Sequence, residues 1–272
     1  MRISEMMIPG REVEKRMDDK STANMAVLAG EIMLRSGAET YRVEDTIKHI
    51  LDTAGTAETE SLVMLTGIIV TIDRPGEGAV TVMRRVHDRG SNMHRIVEVN
   101  EISRQYCAGE LTAEETWDRL KKIKGKLYTV PMYNLATILV SAGFAPLFGG
   151  GVREILASGA VGAVLAVLMT IGKRVRISGF ILNIICSAGI AVAAVLLRLW
   201  YPFLNMDTVI ISGIMPLVPG VAITNAIRDT LRGDYISGGA RALEAFVTAA
   251  AVAIGAGAGI ALTGSFWQGG GL

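Results

Sequence analysis

The sequence predicts an α-helical integral membrane protein that carries an N-terminal α+β domain. Two observations lead to this fold class. Residues 131–262 are almost continuously apolar, whereas residues 1–128 hold 19 of the 27 Lys and Arg residues and 21 of the 26 Asp and Glu residues. A soluble domain distributes its charge more evenly along the chain. The break near residue 129 therefore separates a charged domain from a membrane domain.

Residues 22–128 are expected to form a small α+β head domain with its own core. Residues 1–21 mix both charge signs without an apolar run, which indicates a disordered start and no secretory signal. The helical pattern over 22–54 is interrupted where Ser36 and Glu39 match a capping box, so two helices are predicted there. The last helix opens at a second capping box, Thr112 with Glu115. The predicted order is ααβββαα, with strands at 61–65, 68–72 and 79–86 and later helices at 91–108 and 113–125.

Five apolar stretches within residues 129–263 are long enough to cross a membrane. A backbone in hydrocarbon must satisfy its own hydrogen bonds, so each stretch is predicted to be a helix. Glycine runs and charged residues separate the stretches. The predicted spans are 131–149, 154–171, 178–200, 207–226 and 239–262, followed by a short external tail at 264–272.

The Lys and Arg residues between the spans predict the orientation. Cationic side chains cluster before the first span, between the second and third, and before the fifth, whereas the alternate connections carry only Arg153 and Arg198. Connections rich in Lys and Arg stay on the cytosolic side. We therefore expect a multi-pass protein of the cell (inner or plasma) membrane, with the head domain cytosolic and the C-terminus outside.

The fourth span contains the sharpest local signal for a transport path. Pro216, Pro219 and Gly220 interrupt its helix and free backbone polar groups. Secondary transporters bind substrates at such broken helices, and a proline kink without substrate contact is the alternative. Other polar groups in the membrane half are candidates for the same path, with helix–helix hydrogen bonding or an interfacial position as the alternative. They are Asn134, Asn183, Asn225, Asp229 and Glu244.

Small residues repeat at helical spacing in two of the spans. Gly159-x-x-x-Ala163 and Gly255-x-Gly257-x-Gly259 place them on one helix face, which allows neighbouring helices to approach closely. Plain packing and a flexible stretch beside a permeation path both stay open. Homo-oligomer formation through these faces is also compatible with the pattern.

Composition and missing motifs disfavour several classes of function. A formal net charge of +1 does not suit nucleic-acid binding. The sequence contains neither a P-loop nor a nucleophile elbow, which argues against direct ATP coupling and against that hydrolase class. His49, His87 and His94 are scattered, and Cys107 and Cys186 are expected in different environments. We therefore predict no catalytic residue, metal site, cofactor or disulfide.

Three groups of residues resemble the threonine/serine exporter family. The resemblance extends over approximately residues 22–262, and the groups are specific together although each is weak alone. They are 29–30 (AG) with 34–44 (LRSGAETYRVE), then 81–86 (TVMRRV) with 89–92 (RGSN), and finally 216–220 (PLVPG), 225–229 (NAIRD) and 238–244 (GGARALE).

The resemblance implies a subunit of a secondary exporter for small metabolites, either threonine- and serine-type amino acids or dicarboxylates such as succinate. In fused members a second membrane block follows the part present here. A small membrane subunit is then expected to supply that second half. The competing interpretation is a membrane-anchored enzyme or sensor whose head domain is the active part.

The resemblance also marks a set of polar head residues as functional candidates. Helix capping and surface pairing are the plain alternative for them, because pairs at helical spacing contribute only tenths of a kcal/mol. The candidates are Ser36, Glu39, Thr40, Arg42 and Glu44.

Overall fold

The computed structural model describes residues 18–55, 57–87, 89–123 and 128–268, with side chains as far as residue 264. The chain forms two compact units. Within the described residues, unit 1 contains the chain up to residue 123 together with Arg228–Ser237, and unit 2 contains the rest. Most of the predicted disordered start lies outside the described residues.

Unit 1 has the predicted ααβββαα order of elements. Its first helix begins three residues before the predicted start at 22. The elements are α1 (Asp19–Arg35), α2 (Thr40–Asp52), β1 (Glu58–Met64), β2 (Gly67–Arg74), β3 (Gly78–Arg85), α3 (Met93–Cys107) and α4 (Ala113–Lys122).

The two capping boxes predicted in the head have different outcomes. The box that opens α4 is confirmed, because Thr112 Oγ1 accepts the Glu115 N–H at 3.2 Å and Glu115 Oε2 accepts the Thr112 N–H at 3.0 Å. The box at Ser36 is wrong. The Ser36 hydroxyl donates to the Ile32 carbonyl at 2.6 Å and so closes α1. The chain turns at Gly37, whose φ is +86°, and the N-cap of α2 falls on Glu39.

The three strands form an antiparallel sheet in the order β1-β2-β3. A two-residue turn joins β1 to β2, where Met64 pairs with Gly67. The central strand β2 buries Ile68, Val70 and Ile72 completely, since alternate residues of a strand point to one face. Helices α1 and α2 pack on the sheet and complete the core of unit 1.

Unit 2 is built from helices, and the last two of them extend beyond it. The segment between α9 and α10 belongs to unit 1. The elements are α5 (Val130–Phe144) with a 3-10 turn (Pro146–Phe148), α6 (Val152–Val175), α7 (Gly179–Trp200), α8 (Met206–Ile214) with a 3-10 turn (Met215–Leu217), α9 (Gly220–Leu231) and α10 (Tyr235–Gln268).

Four helical segments of the described chain are long and apolar enough to cross a membrane. The fourth predicted span, 207–226, is the exception, because the structure divides it into two helices that bend by 62°. Counting that bent pair as one span gives five. The four are Val130–Phe148, Val152–Val175, Gly179–Trp200 and Tyr235–Gly264.

Close packing explains part of the small-residue pattern in α10. A Cβ added to Gly255 would overlap the Ser187 hydroxyl and the Ile184 carbonyl of α7, and one added to Gly259 would lie 2.6 Å from the Ala188 carbonyl. A Cβ at Gly257 would meet no atom of the described residues within 4 Å. Gly255 and Gly259 thus allow α10 to approach the backbone of α7, as the packing alternative proposes.

Candidate functional site

The N-terminus of α2 receives a carboxylate from a distant part of the chain. The Thr40 N–H donates to Asp229 Oδ1 at 3.3 Å, and the Thr40 hydroxyl donates to Asp229 Oδ2 at 3.3 Å. Asp229 is only 1% exposed. The N-cap residue Glu39 makes no side-chain capping bond, so Asp229 supplies the acceptor that the first turn of a helix requires. Its negative charge also lies at the positive end of the helix dipole.

An ion pair lies next to this cap. Arg228 Nη1 is 2.5 Å from Glu39 Oε1, and Arg42 Nη1 is 3.5 Å from Glu39 Oε2. Burial acts to raise the pKa of Glu39, but hydrogen bonds from its own backbone N–H and from Arg228, together with the charge of Arg42, lower this pKa overall. Glu39 is therefore held as a carboxylate between two guanidinium groups.

A cation–π contact completes the group. The Arg232 guanidinium lies 3.6 Å from the centroid of the Tyr41 ring. The α2 cluster, as we call it, consists of the head residues Glu39, Thr40 and Tyr41 and the residues Arg228, Asp229 and Arg232 that end or directly follow α9.

The loop before α2 is held by the second group of family-like residues. The Gly90 N–H donates to the Arg35 carbonyl at 2.9 Å, and the Asn92 N–H donates to the Ser36 carbonyl at 2.9 Å. A Cβ at Gly37 would lie 2.8 Å from the Gly90 carbonyl, so the approach requires glycine there. All three groups that carry the resemblance thus contribute to unit 1 around the start of α2.

Glu44 lies one turn further along α2, beside a cavity of about 560 Å³. Its Oε1 accepts the Val63 N–H at 3.3 Å. Burial raises the pKa of Glu44, the hydrogen bond from Val63 opposes this rise, and the negative charges of Asp234 and Asp229 add to it.

The replacement Glu44→Gln is expected to flatten the pH dependence of stability. The folded protein keeps the Glu44 proton to higher pH than the unfolded chain does, so its stability falls as pH rises from the ordinary Glu value through the raised one. Glutamine removes that fall. In thermal unfolding between about pH 4 and 8, the melting temperature of the variant should rise relative to that of the wild type as pH rises. The exposed Glu110→Gln is the control, and a pH-independent difference for Glu44→Gln would contradict the assignment.

The helix pair α8 and α9 contains the predicted break. Met206–Leu217 and Gly220–Leu231 meet at 62°. Pro216 lies in the 3-10 turn and Pro219 directly precedes α9. Because proline has no backbone N–H, neither residue donates a backbone hydrogen bond. An added Cβ at Gly220 would meet no atom of the described residues within 4 Å, which indicates open space beside the start of α9.

The remaining candidates of the membrane half lie apart in the sequence and in their surroundings. Asn134 Oδ1 accepts the Thr170 hydroxyl at 3.0 Å, which joins α5 to α6. Asn225 is buried on α9, Asn183 is half-buried on α7, and Glu244 is exposed on α10. Asn134 therefore shows the helix–helix bonding that was the alternative to a path.

The structure joins candidates that the sequence presented separately. The candidate Thr40 contacts the candidate Asp229, and Glu39 contacts the neighbouring Arg228. The Ser36 hydroxyl donates to the Ile32 carbonyl of α1 instead. Tyr41, Arg228 and Arg232 are not among the candidates that the sequence predicts. The α2 cluster pairs residues that are 189 positions apart, as in Thr40 with Asp229, or 191 apart, as in Tyr41 with Arg232, and no local sequence pattern connects them.

Among the described residues, no group of three or more His, Cys, Asp and Glu side chains is arranged to hold a metal ion. Both cysteines are free, Cys107 exposed in unit 1 and Cys186 buried in unit 2.

Curated relatives match most of this chain. The chain is 24% identical to the "Probable succinate transporter subunit YjjP" of Escherichia coli (strain K12), over 87% of its own length and 92% of that protein. It is 23% identical to the "Threonine/serine exporter" of Corynebacterium glutamicum, over 88% of its length but 51% of that protein. It is 21% identical to the "Probable threonine/serine exporter" of Mycobacterium tuberculosis, over 87% of its own length and 45% of that protein. No solved structure matches.

The model of the ThrE family, described as a threonine/serine exporter, matches residues 24–263 and so covers both units. Together with several membrane-length apolar helices, this match makes the chain a membrane exporter protein for small metabolites. The chain belongs to the threonine/serine exporter family.

Proposed function

We propose that this chain is the larger subunit of a two-component secondary exporter that moves threonine- or serine-type amino acids, or a dicarboxylate such as succinate, out of the cell. The 62° break between α8 and α9 carries this proposal. It interrupts a backbone that otherwise has the length and apolar composition of a span. Such an interruption is tolerated at membrane depth where it lines a cavity or is covered by protein.

The geometry of the break suits a small anionic group. Helix α9 begins at Gly220, so its positive dipole end faces the interruption. The open space beside Gly220 leaves room for a substrate carboxylate near those backbone amides. We assign Pro216, Pro219 and Gly220 to the substrate site, and Asn225 and Glu244 to the path that leads from it.

The proposed orientation places unit 1 in the cytosol and the C-terminus outside. Lys173 and Arg174 end α6, and Lys173 Nζ lies 4.5 Å from the centroid of the Tyr133 ring. Cations and aromatic rings together are typical of a membrane interface. The cytosolic end of α9 then carries Arg228 and Asp229, whose contacts with α2 would regulate the inner mouth.

A small membrane subunit is the proposed partner. The relatives that this chain matches over more than nine-tenths of their length are named as subunits, whereas the single-chain exporters are about twice as long. We infer that a separate chain contributes what the second half of those exporters contributes.

Efflux from vesicles tests the proposal. Vesicles that contain this chain, the small subunit or both are loaded with labelled threonine, serine and succinate. We expect efflux of at least one substrate from the pair. The double replacement Pro216→Ala with Pro219→Ala should reduce it at least about tenfold, because alanine supplies the backbone N–H groups that favour a continuous helix over the break. Pro202→Ala, outside the break, is the matched control.

Two outcomes would contradict the proposal. One is a pair that moves none of the three substrates while the full chain turns over a small molecule, which would favour a membrane-anchored enzyme. The other is a doubly replaced break that supports efflux at the wild-type rate.

A further inference from the structure

The cavity beside α2 in unit 1 carries charges of both signs. Its lining comes from α2, from the edge strand β1 and from the segment that follows α9. The volume of about 560 Å³ lies within the range of about 300–1,000 Å³ of small-molecule sites. The charged lining residues are Glu44, Asp45, Lys48, Glu60 and Arg232.

The cationic side of the cavity is suited to a carboxylate. The Arg232 guanidinium carbon lies 3.6 Å from the centroid of the Tyr41 ring, and the group carries five N–H donors in one plane. A planar carboxylate is the acceptor that this fork of donors matches best. Lys48, one turn beyond Glu44 on the same helix, adds a second positive charge to the lining.

The anionic side is suited to an ammonium group. Glu44 is half-buried, and Val63 donates to one of its oxygens. The negative charges of Asp229 and Asp234 act on the same carboxylate, so a bound cation would relieve their repulsion.

Two hydroxyl groups lie along one side of the cavity. Thr59 and Ser61 are alternate residues of β1, so both face α2 in the same direction as Val63. They supply donors and acceptors for a small polar side chain.

We propose that this cavity binds a zwitterionic α-amino acid with a small polar side chain. Its carboxylate lies against Arg232 and Lys48, its ammonium group lies against Glu44, and its side chain lies against Thr59 and Ser61. A dicarboxylate is disfavoured, because it offers no positive group to the acidic side of the lining. The site lies in unit 1, so it is distinct from the substrate site at the break in unit 2.

Chain connectivity gives this site a consequence for the exporter. Arg232 directly follows the last residue of α9, and α9 is the second half of the broken pair. A ligand that contacts Arg232 therefore contacts the residue that directly follows the second half of the broken pair.

Calorimetric titration of the purified full-length chain in detergent tests the site. The probes are L-threonine, succinate and 1-amino-2-propanol, which lacks the carboxylate. L-threonine is expected to bind, and the other two to bind at least about tenfold more weakly, because each lacks one of the charged contacts. Arg232→Gln, Glu44→Gln and Lys48→Gln should each weaken L-threonine binding, the first two by at least about tenfold.

The controls separate binding from folding and from transport. The replacements Lys20→Gln and Glu110→Gln, at exposed positions, should keep wild-type affinity for L-threonine. If Arg232→Gln does not fold, the affinity of Lys48→Gln, also at an exposed position, tests the cationic side of the cavity. The proposal is overturned if L-threonine does not bind, if succinate binds as tightly, or if the folded cavity variants keep wild-type affinity. The titration needs neither a gradient nor a partner subunit, so its failure and a failure of the efflux assay are independent.

Discussion

The replacement Gly255→Ala is expected to destabilise unit 2 strongly, whereas Gly257→Ala two residues away is expected to leave it unchanged or slightly more stable. At Gly255 the added methyl group overlaps the Ile184 carbonyl, which is backbone and has no rotamer to change. Relief requires that α10 move away from α7. Overpacking of this kind costs about 1–3 kcal/mol.

Gly257 is a matched control because it shares the helix, the residue type and the substitution. Its Cβ would meet no described atom within 4 Å, so only helix propensity changes, by about 1 kcal/mol in favour of alanine. Thermal unfolding of both purified variants in detergent measures the difference. Equal melting temperatures would show that α10 does not approach α7 as closely as described.

The second large effect is expected from Asp229→Ala. The change removes both acceptors of Thr40 and the negative charge at the start of α2. It also leaves the buried Thr40 N–H without that partner, which costs about 1–3 kcal/mol. Asp229→Asn keeps one carbonyl oxygen but loses the charge, so its effect should be smaller. Asp118→Asn, an exposed carboxylate on α4, is the control.

A double-mutant cycle with Thr40→Val isolates the contact itself. If Thr40 and Asp229 interact as described, the double variant loses less stability than the sum of the single losses. Melting temperatures of the four proteins in detergent provide the comparison. Strictly additive losses would show that the Thr40 hydroxyl does not interact with Asp229, since the bond from the backbone N–H of Thr40 is present in both the wild type and the Thr40→Val variant.

The sequence predicted those elements whose signals are local. Apolar length predicted the spans, since a single segment in hydrocarbon satisfies its own backbone hydrogen bonds as a helix. Thr112 and Glu115 are three positions apart, within one turn, and their capping box is confirmed. Ser36 and Glu39 match the capping-box pattern equally well, but the Ser36 hydroxyl donates to the Ile32 carbonyl of the preceding helix. A capping motif therefore predicts a helix start only when no preceding helix competes for the hydroxyl.

The candidate site shows where local reasoning ends. The sequence predicts Glu39, Thr40 and Asp229 as separate candidates, but the contact between Thr40 and Asp229 joins residues that are 189 positions apart. The same limit applies to packing, because Gly255 and Gly257 look identical in the sequence and differ only in what lies opposite them. Only the folded chain distinguishes such residues.

The discontinuity of unit 1 determines where this chain can be cut. A fragment that ends near residue 128 includes all of α1 to α4 but lacks Arg228–Ser237. Its α2 would begin without its capping carboxylate, and Glu39 would lose its closest guanidinium. A synthetic peptide of residues 228–237 added to such a fragment should therefore restore part of its stability. Unit 1 therefore consists of two separate segments of the chain, and its second segment, Arg228–Ser237, is synthesised only after most of unit 2.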